Sequence, residues 1–587
     1  ANSWVHGFTL KPQGAGFELG SSKKVVGGIL PTGLDFGPDG ALYIGDWIDG
    51  WGTGAYGRIW KLDDPQHANA AIRKEVKELL AAEFSKRSPE ELYKLLHHED
   101  LRVRKKSQFE LVKRGKESVV FFETALQQRE HQLARVHAIW GLTQLARQDA
   151  SIAERLVPYL NDADAEIRAQ VAKWLGDIRY RPAADFVMIL LRDTNSRARF
   201  FAAEALGRMQ YAPAVGPIIE MLRANNDKDV YLRHAGSLAL ARIGQSAPVR
   251  ALAKDNSRAV RIAAVVALRR MSDPGVAEFL NDKDEFIVTE AARAINDDLS
   301  IPDALPALAD LLATTKFRNE ALIRRAINAN LRVGTEKALA NLLAYAKNNA
   351  NPAPMRMEAI ETLSVWPKPS VLDRVDGRLR GVVERDPAQV RQLAGPVFME
   401  LVKSPEAGVR MAAARAIGKL QIKDAVPMLQ PLLKSDRDLK VRKSALQSLA
   451  LLEADDLAEV IRIGLSDKEK EVRVVALDLL GKTSLPPAKM ATMLWDVIST
   501  KTVEEKQAAL NTLATIPLSD ARPVFEKVLD QLAAGKLTQE IRIELEEAVD
   551  SAKSAELKER LNAILAKLDD GNPLAPFAGA LYGGNPS

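Results

Sequence analysis

The chain has 587 residues, 47% of them hydrophobic, and is long enough to bury several packed cores. Its 82 Lys and Arg against 77 Asp and Glu leave a net charge of +5, with no basic block interleaved with aromatics, so nucleic acid is disfavoured as a partner. The absence of cysteine excludes disulfides, thiolate metal sites and Cys-x-x-Cys-His haem attachment, and the lack of any long apolar run excludes a helical membrane span.

The first residues, Ala1 to His6, lack the charged start and apolar run of a signal peptide, and the missing initiator Met fits a mature or truncated form. Residues 1–64 read as a β segment. Trp4, Trp47, Trp51 and Trp60 lie there among dense glycine, without helical periodicity. Leu34–Phe36, Gly37-Pro38-Asp39-Gly40 and Ala41–Ile44 predict strand, tight turn and strand, because Pro-Asp-Gly supplies the turn dihedrals. Gly57–Leu62 predicts a third strand. So few strands are not stable alone. They are expected either as one propeller blade or as an element packed on the helices or on a partner.

Residues 65–568 predict helices throughout. Ala71–Leu80 is amphipathic, and Ser88-Pro-Glu-Glu91 is a capped start. A recurring unit then takes over: a short acidic loop, an apolar-Arg pair and an alanine-rich helix that often ends in glycine. It reads Asp162 to Arg168 into Val171–Gly176, Arg199 into Ala202–Gly207, and Arg233 into Leu238–Gly244. Later copies carry Arg261, Arg410, Arg442 and Arg473. The spacing is about 28 to 34 residues, shorter than the ~40–47 of typical HEAT repeats. Such self-similarity predicts a mainly α fold, a right-handed α-solenoid of HEAT-like antiparallel helix pairs with the small antiparallel β segment at its N-terminal end. Ala202, Ala263 and Ala413 are expected to be buried between neighbouring helices. Residues 348–354 and the stretch around Pro367–Pro369 predict longer loops, and residues 569–587 a linker.

The repeated Asp and Arg residues are expected to cap helices and link neighbouring repeats, since an active site occurs once. The seven His, at positions 6, 67, 97, 98, 131, 137 and 234, show no metal-ligand spacing on one helix face. Phosphate-loop, dinucleotide and nucleophile-elbow motifs are absent. Asp35, Asp39 and Asp46 flank the hairpin as weak Ca²⁺ candidates. Asp46, Trp47, Trp51 and Arg58 combine charge, aromatics and a glycine-rich loop, which makes them the weak cofactor-site candidates; no catalytic residue is assigned.

The run Leu30-Pro-Thr-Gly-Leu-Asp-Phe-Gly-Pro-Asp-Gly-Ala-Leu-Tyr-Ile-Gly-Asp-Trp-Ile-Asp-Gly-Trp51, with Gly57-Arg-Ile-Trp60, resembles the last propeller blade of an exported dehydrogenase-like family of planctomycete and verrucomicrobial type. Arg135–Leu142, Tyr231–Gly236, Glu290–Asp297 and Asp373–Arg378 resemble its helical-repeat region. The resemblance implies a quinone- and Ca²⁺-dependent propeller before the repeats, a c-type haem domain after them, and a periplasmic or extracellular location. Here the earlier blades and the haem motif are lacking, and Ala55-Tyr56 stand where that family often has Gly-Lys. The chain by itself is therefore expected to hold no cofactor and to be non-catalytic. Its expected role is a protein-interaction scaffold whose concave surface binds a protein, such as a c-type cytochrome or propeller subunit. The alternative is one part of a quinone- or haem-dependent sugar or alcohol dehydrogenase. A HEAT-type DNA glycosylase would need a basic aromatic cleft that the sequence lacks.

Overall fold

In the computed structural model the described residues are 3–48, 57–454, 456–481, 483 and 485–568. They fall into two compact units, residues 1–295 and 296–587. Trp51, Ala55-Tyr56 and the expected linker 569–587 lie outside the described residues.

The first unit opens with β1 (Trp4–Gln13), β2 (Gly16–Gly27), β3 (Pro31–Phe36), β4 (Leu42–Asp46) and β5 (Arg58–Leu62). β1 and β2 form a two-stranded antiparallel hairpin, and β3, β4 and β5 a three-stranded antiparallel sheet in sequence order. The Pro38-Asp39-Gly40 turn joins β3 to β4 as expected, with Gly40 at φ 77° and its N–H bonded to the Gly37 carbonyl. The long β1–β2 hairpin was not legible in the sequence. Its alternation is broken by register shifts after Val5 and Thr9.

Helices α1 (Ala71–Ala81), α2 (Pro89–Leu95), α3 (Leu101–Arg114), α4 (Val119–Gln127), α5 (Gln132–Ala146) and α6 (Ala165–Asp177) follow. Next come α7 (Ala184–Ile189), α8 (Ser196–Arg208), α9 (Val215–Asn225), α10 (Val230–Ile243), α11 (Ser246–Arg250), α12 (Arg258–Met271) and α13 (Glu285–Asn296), at the boundary. The short period goes with short first elements, such as the nine residues of Leu457–Leu465. The first elements of several pairs are wholly or partly 3₁₀, at Ala150–Asn161, Ala251–Lys254 and Pro274–Asn281. A 3₁₀ helix rises about 2.0 Å per residue against ~1.5 Å for an α-helix, so fewer residues cover the same length.

The second unit contains α14 (Leu305–Thr314), α15 (Glu320–Val333), α16 (Glu336–Lys347), α17 (Ala353–Ser364), α18 (Pro387–Leu401), α19 (Ala407–Lys419), α20 (Val426–Ser435) and α21 (Leu439–Leu451). It continues with α22 (Leu457–Leu465), α23 (Lys470–Leu480), α24 (Pro487–Thr500), α25 (Val503–Leu513), α26 (Leu518–Ala533), α27 (Arg542–Ser551) and α28 (Ala555–Leu568). The first expected loop is residues 348–352, while the second runs from 365 to 386. It is not slack. Asp373 is buried and accepts hydrogen bonds from Val375 N (2.8 Å), Asn328 Nδ2 (3.0 Å) and Arg380 Nε (3.0 Å). The Arg385 guanidinium lies 4.8 Å from the buried Trp366 ring. Asp373–Arg378, one of the resemblance segments, thus ties an insertion to its unit.

The core lies between successive second helices. Ala202, Ala263 and Ala413 are fully buried, as the repeat register requires. Gly176 and Gly207 serve packing rather than termination, whereas Gly244 ends α10 in the left-handed region at φ 77°. A Cβ on Gly176 would lie 2.5 Å from Ala205 Cα, and one on Gly207 would lie 2.8 Å from Ala239 Cα. The left-handed residues that end α6 and α8 are instead Arg179 and Gln210, each followed by a Schellman-type bond, Tyr180 N to Leu175 O and Tyr211 N to Leu206 O. Gly176→Leu is therefore expected to force α6 from α8 and cost about 1–3 kcal/mol in a denaturation experiment. An unchanged midpoint would contradict this packing.

Candidate interaction surface

The residues that repeat are joined into a ladder. Arg168 donates from Nη1 to the Asp162 carbonyl of its own loop (2.7 Å) and from Nε and Nη2 to the Asp193 carboxylate of the next (2.7 and 2.8 Å). Arg410 does the same to Ser404 O and Asp436, Arg442 to Asp436 O and Asp467, and Arg473 to Asp467 O and Glu505. The carboxylates also brace the loop before the next helix: Asp193 accepts from the N–H of Asn195 and Asp436 from that of Asp438, and Asn195 and Asp438 are themselves the N-caps. Burial pushes Asp193, Asp436 and Asp467 up, but the hydrogen bonds from Arg168, Arg410 and Arg442 prevail and hold each below the usual carboxylate range. These groups stack repeats, and their lone pairs are already engaged.

The described β-segment candidates fall in two places: Asp46, Trp47 and Arg58 lie at one end of the three-stranded sheet, and Asp35 and Asp39 toward the other. Asp46 is buried, and accepts from Leu30 N (2.9 Å), Ile48 N (3.0 Å) and Trp60 Nε1 (2.8 Å). The Trp60 bond leads the effects that hold its pKa below the usual range. It closes the sheet, since Asp46 pairs with Pro31 of β3 and Arg58 of β5. Trp47 is about half exposed and donates its backbone N–H to Leu30 O. Arg58 places its guanidinium 5.6 Å from the Trp60 ring. Asp39 lies beyond the other end of β4, accepting from Tyr43 Oη and paired with Lys61 at 2.7 Å, which holds it down to about 2. The Asp35 carboxylate accepts the Phe36 N–H. Among the described residues no three His, Cys, Asp or Glu side chains gather as a metal site. Strand pairing spreads Asp35, Asp39 and Asp46 along the β3–β4 hairpin.

Two features escaped the sequence reading. Along the second helices of the first unit runs a continuous polar and aromatic line. Gln108 donates to Gln144 (3.0 Å) and accepts from His137 Nδ1 (2.7 Å), and His137 packs edge-on to Trp140 at 4.9 Å. Trp140 and Trp174 both donate to Gln170 Oε1, Gln170 donates to Glu166, and Glu166 accepts from Arg197. Beside it, an open groove of about 1190 Å³ crosses the ends of the first helices. Val157, Pro158, Phe186, Ile189, Leu191 and Pro217 line it, with Phe186 53% and Ile189 70% exposed. Phe186 and Ile189 sit on α7, where a short helical run gave too little periodicity to tell an inward face from an outward one.

The HEAT-repeat family matches residues 153–240 and 392–450. No curated protein matches the chain. Among solved structures, it is similar to Kap121p bound to RanGTP, at 13% identity over 88% of this chain and 57% of that one, with a TM-score of 0.45. It is also similar to importin beta in an ammonium sulfate condition (13%, 86% and 74%, TM-score 0.35) and to an engineered protein (19%, 67% and 98%, TM-score 0.23). With the ladder, the alanine-packed second helices and the family match over residues 153–240 and 392–450 together, each of the two units carries HEAT repeats in a mainly α, solenoid-type fold, with the small antiparallel β segment at the start of the first.

Proposed function

We propose that the chain is a protein-interaction scaffold, with the groove over α7 and α9 in the first unit as its docking site. Stacked repeats create extended binding surfaces. The observation that carries the proposal is the exposure of Phe186 and Ile189 beside a groove floored by the satisfied Arg168–Asp193 pair. Large exposed apolar side chains framed by polar groups mark binding surfaces. A c-type cytochrome or propeller subunit as the partner, and an exported location, are finer forms of the proposal that rest on the resemblance of residues 30–51 and 57–60.

The test compares the chain with a Phe186→Glu, Ile189→Glu variant, natively purified and analysed by mass spectrometry. A chain that co-purifies stoichiometrically with the first and is lost from the second, at equal melting temperature, is the expected result. Retention by both would move the docking site elsewhere. A dye-linked assay with quinone and Ca²⁺ across simple sugars and alcohols is expected to give background turnover. Activity that vanishes with Asp46→Asn or Arg58→Ala would replace the scaffold with the dehydrogenase reading.

A further inference from the structure

The second helices of the first unit share a register that the β segment uses. Arg102, Leu133, Glu166, Arg197 and Tyr231 each stand two residues before a repeat arginine: Arg104, Arg135, Arg168, Arg199 and Arg233. They mark the starts of α3, α5, α6, α8 and α10 in turn. The β segment is anchored at both ends of this row. At one end Arg102 Nη1 donates to Phe36 O (3.0 Å) and Gly37 O (2.7 Å).

At the other end sits the tip of the β1–β2 hairpin. Ala15, almost fully buried, donates its backbone N–H to Asp229 Oδ2 at 2.7 Å. Gly16 lies so close to Tyr231 that a Cβ there would be 2.3 Å from the ring. The Phe17 ring lies 5.7 Å from the Arg197 guanidinium. Gly14, at φ 59°, makes the turn that presents these groups. The seat is made for a turn of small residues, since each glycine is required by a close approach or by its φ.

The rest of the hairpin is poorly covered. Phe8 is 61% exposed and Leu19 63%. A two-stranded ribbon has little stability of its own, so its order depends on the seated tip. An arm of ten residues reaches about 33 Å at ~3.3 Å per residue. Four helix-to-helix steps from α3 to α10 cover about 32–40 Å at ~8–10 Å each. The arm is as long as the row.

We propose that the β1–β2 hairpin is a strap, latched at its tip on α8 and α10. Its arm spans the row past the starts of α5 and α6, and it opens by unlatching at the tip.

The absence of cysteine allows a direct test. Leu133, half exposed at the start of α5, is the second of the five positions in the row. In the Leu133→Cys chain, labelling is timed with a small maleimide and with a polymer-linked maleimide, with and without Gly16→Leu, whose side chain collides with Tyr231. Phe17→Ala, which removes the ring at Arg197 without a clash, serves as a second unlatching variant. The expected result is a polymer-labelling rate that rises about ten-fold or more on unlatching while the small reagent is unaffected, as a shifted open population requires. A Leu393→Cys chain, probing a half-exposed position on α18 in the second unit, should show no change. Equal polymer rates with and without both unlatching changes would overturn the strap. Because the readout needs no partner, that failure is distinct from a failure of the scaffold proposal.

Discussion

Arg442→Ala is expected to destabilise the second unit by about 3–5 kcal/mol, the usual consequence of removing one partner from a buried ion pair. Arg442 is almost fully buried on α21 and donates to Asp467 Oδ2 (2.7 Å), Asp467 Oδ1 (2.9 Å) and Asp436 O (2.9 Å). Asp467 holds the guanidinium pKa up, and Arg442 in turn keeps the carboxylate charged against its burial. Truncation leaves that carboxylate without its cation and the Asp436 carbonyl without its donor. Equilibrium denaturation measures the cost. The double variant Arg442→Leu, Asp467→Leu should recover much of it, because no charge is then left unpaired, although the loop hydrogen bond that Asp467 accepts from Glu469 N is lost. A cost below about 1 kcal/mol for Arg442→Ala would mean that the pair behaves as a surface salt bridge.

The second large effect is a loss of stability on mild acidification. His137 lies in the core of α5, with burial first and Arg104 second pushing its pKa down to about 4 from 6.5. The unfolded chain takes up a proton near pH 6.5, which the folded chain refuses until about pH 4. Stability therefore falls as pH drops through this window, by about 2 kcal/mol between pH 7.5 and 5 and about 3 kcal/mol in full. Burial also lowers the pKa of His97, which adds a loss of the same sign. The ladder carboxylates, held below 3.8, lose their contribution only at more acid pH. Denaturation at pH 7.5 and pH 5 should show a much smaller drop in His137→Gln than in the parent chain. Equal drops would place the acid sensitivity elsewhere.

How much of this was legible follows from the range of each interaction. The repeat arginines, the caps and the buried alanines are local features that recur in register, so the helix pairs and the stacking role of the Asp and Arg residues could be read directly. The Pro38-Asp39-Gly40 hairpin was legible for the same reason, since turn dihedrals are set by adjacent residues. The candidate site was legible as residue types and not as geometry. Asp35, Asp39 and Asp46 are close in sequence, but antiparallel pairing points them at different partners, and Trp60 and Lys61 consume two of them.

What the sequence by itself determined is the helix-pair architecture, because 3.6-residue periodicity and capping act within one repeat. The tertiary structure alone decided the rest. It placed Phe186 and Ile189 over an open groove, joined His137, Trp140, Gln170 and Glu166 across successive helices, and seated Ala15 on Asp229, 214 residues along the chain. These contacts form between residues that no local pattern couples, and stacking of the repeats brings them together.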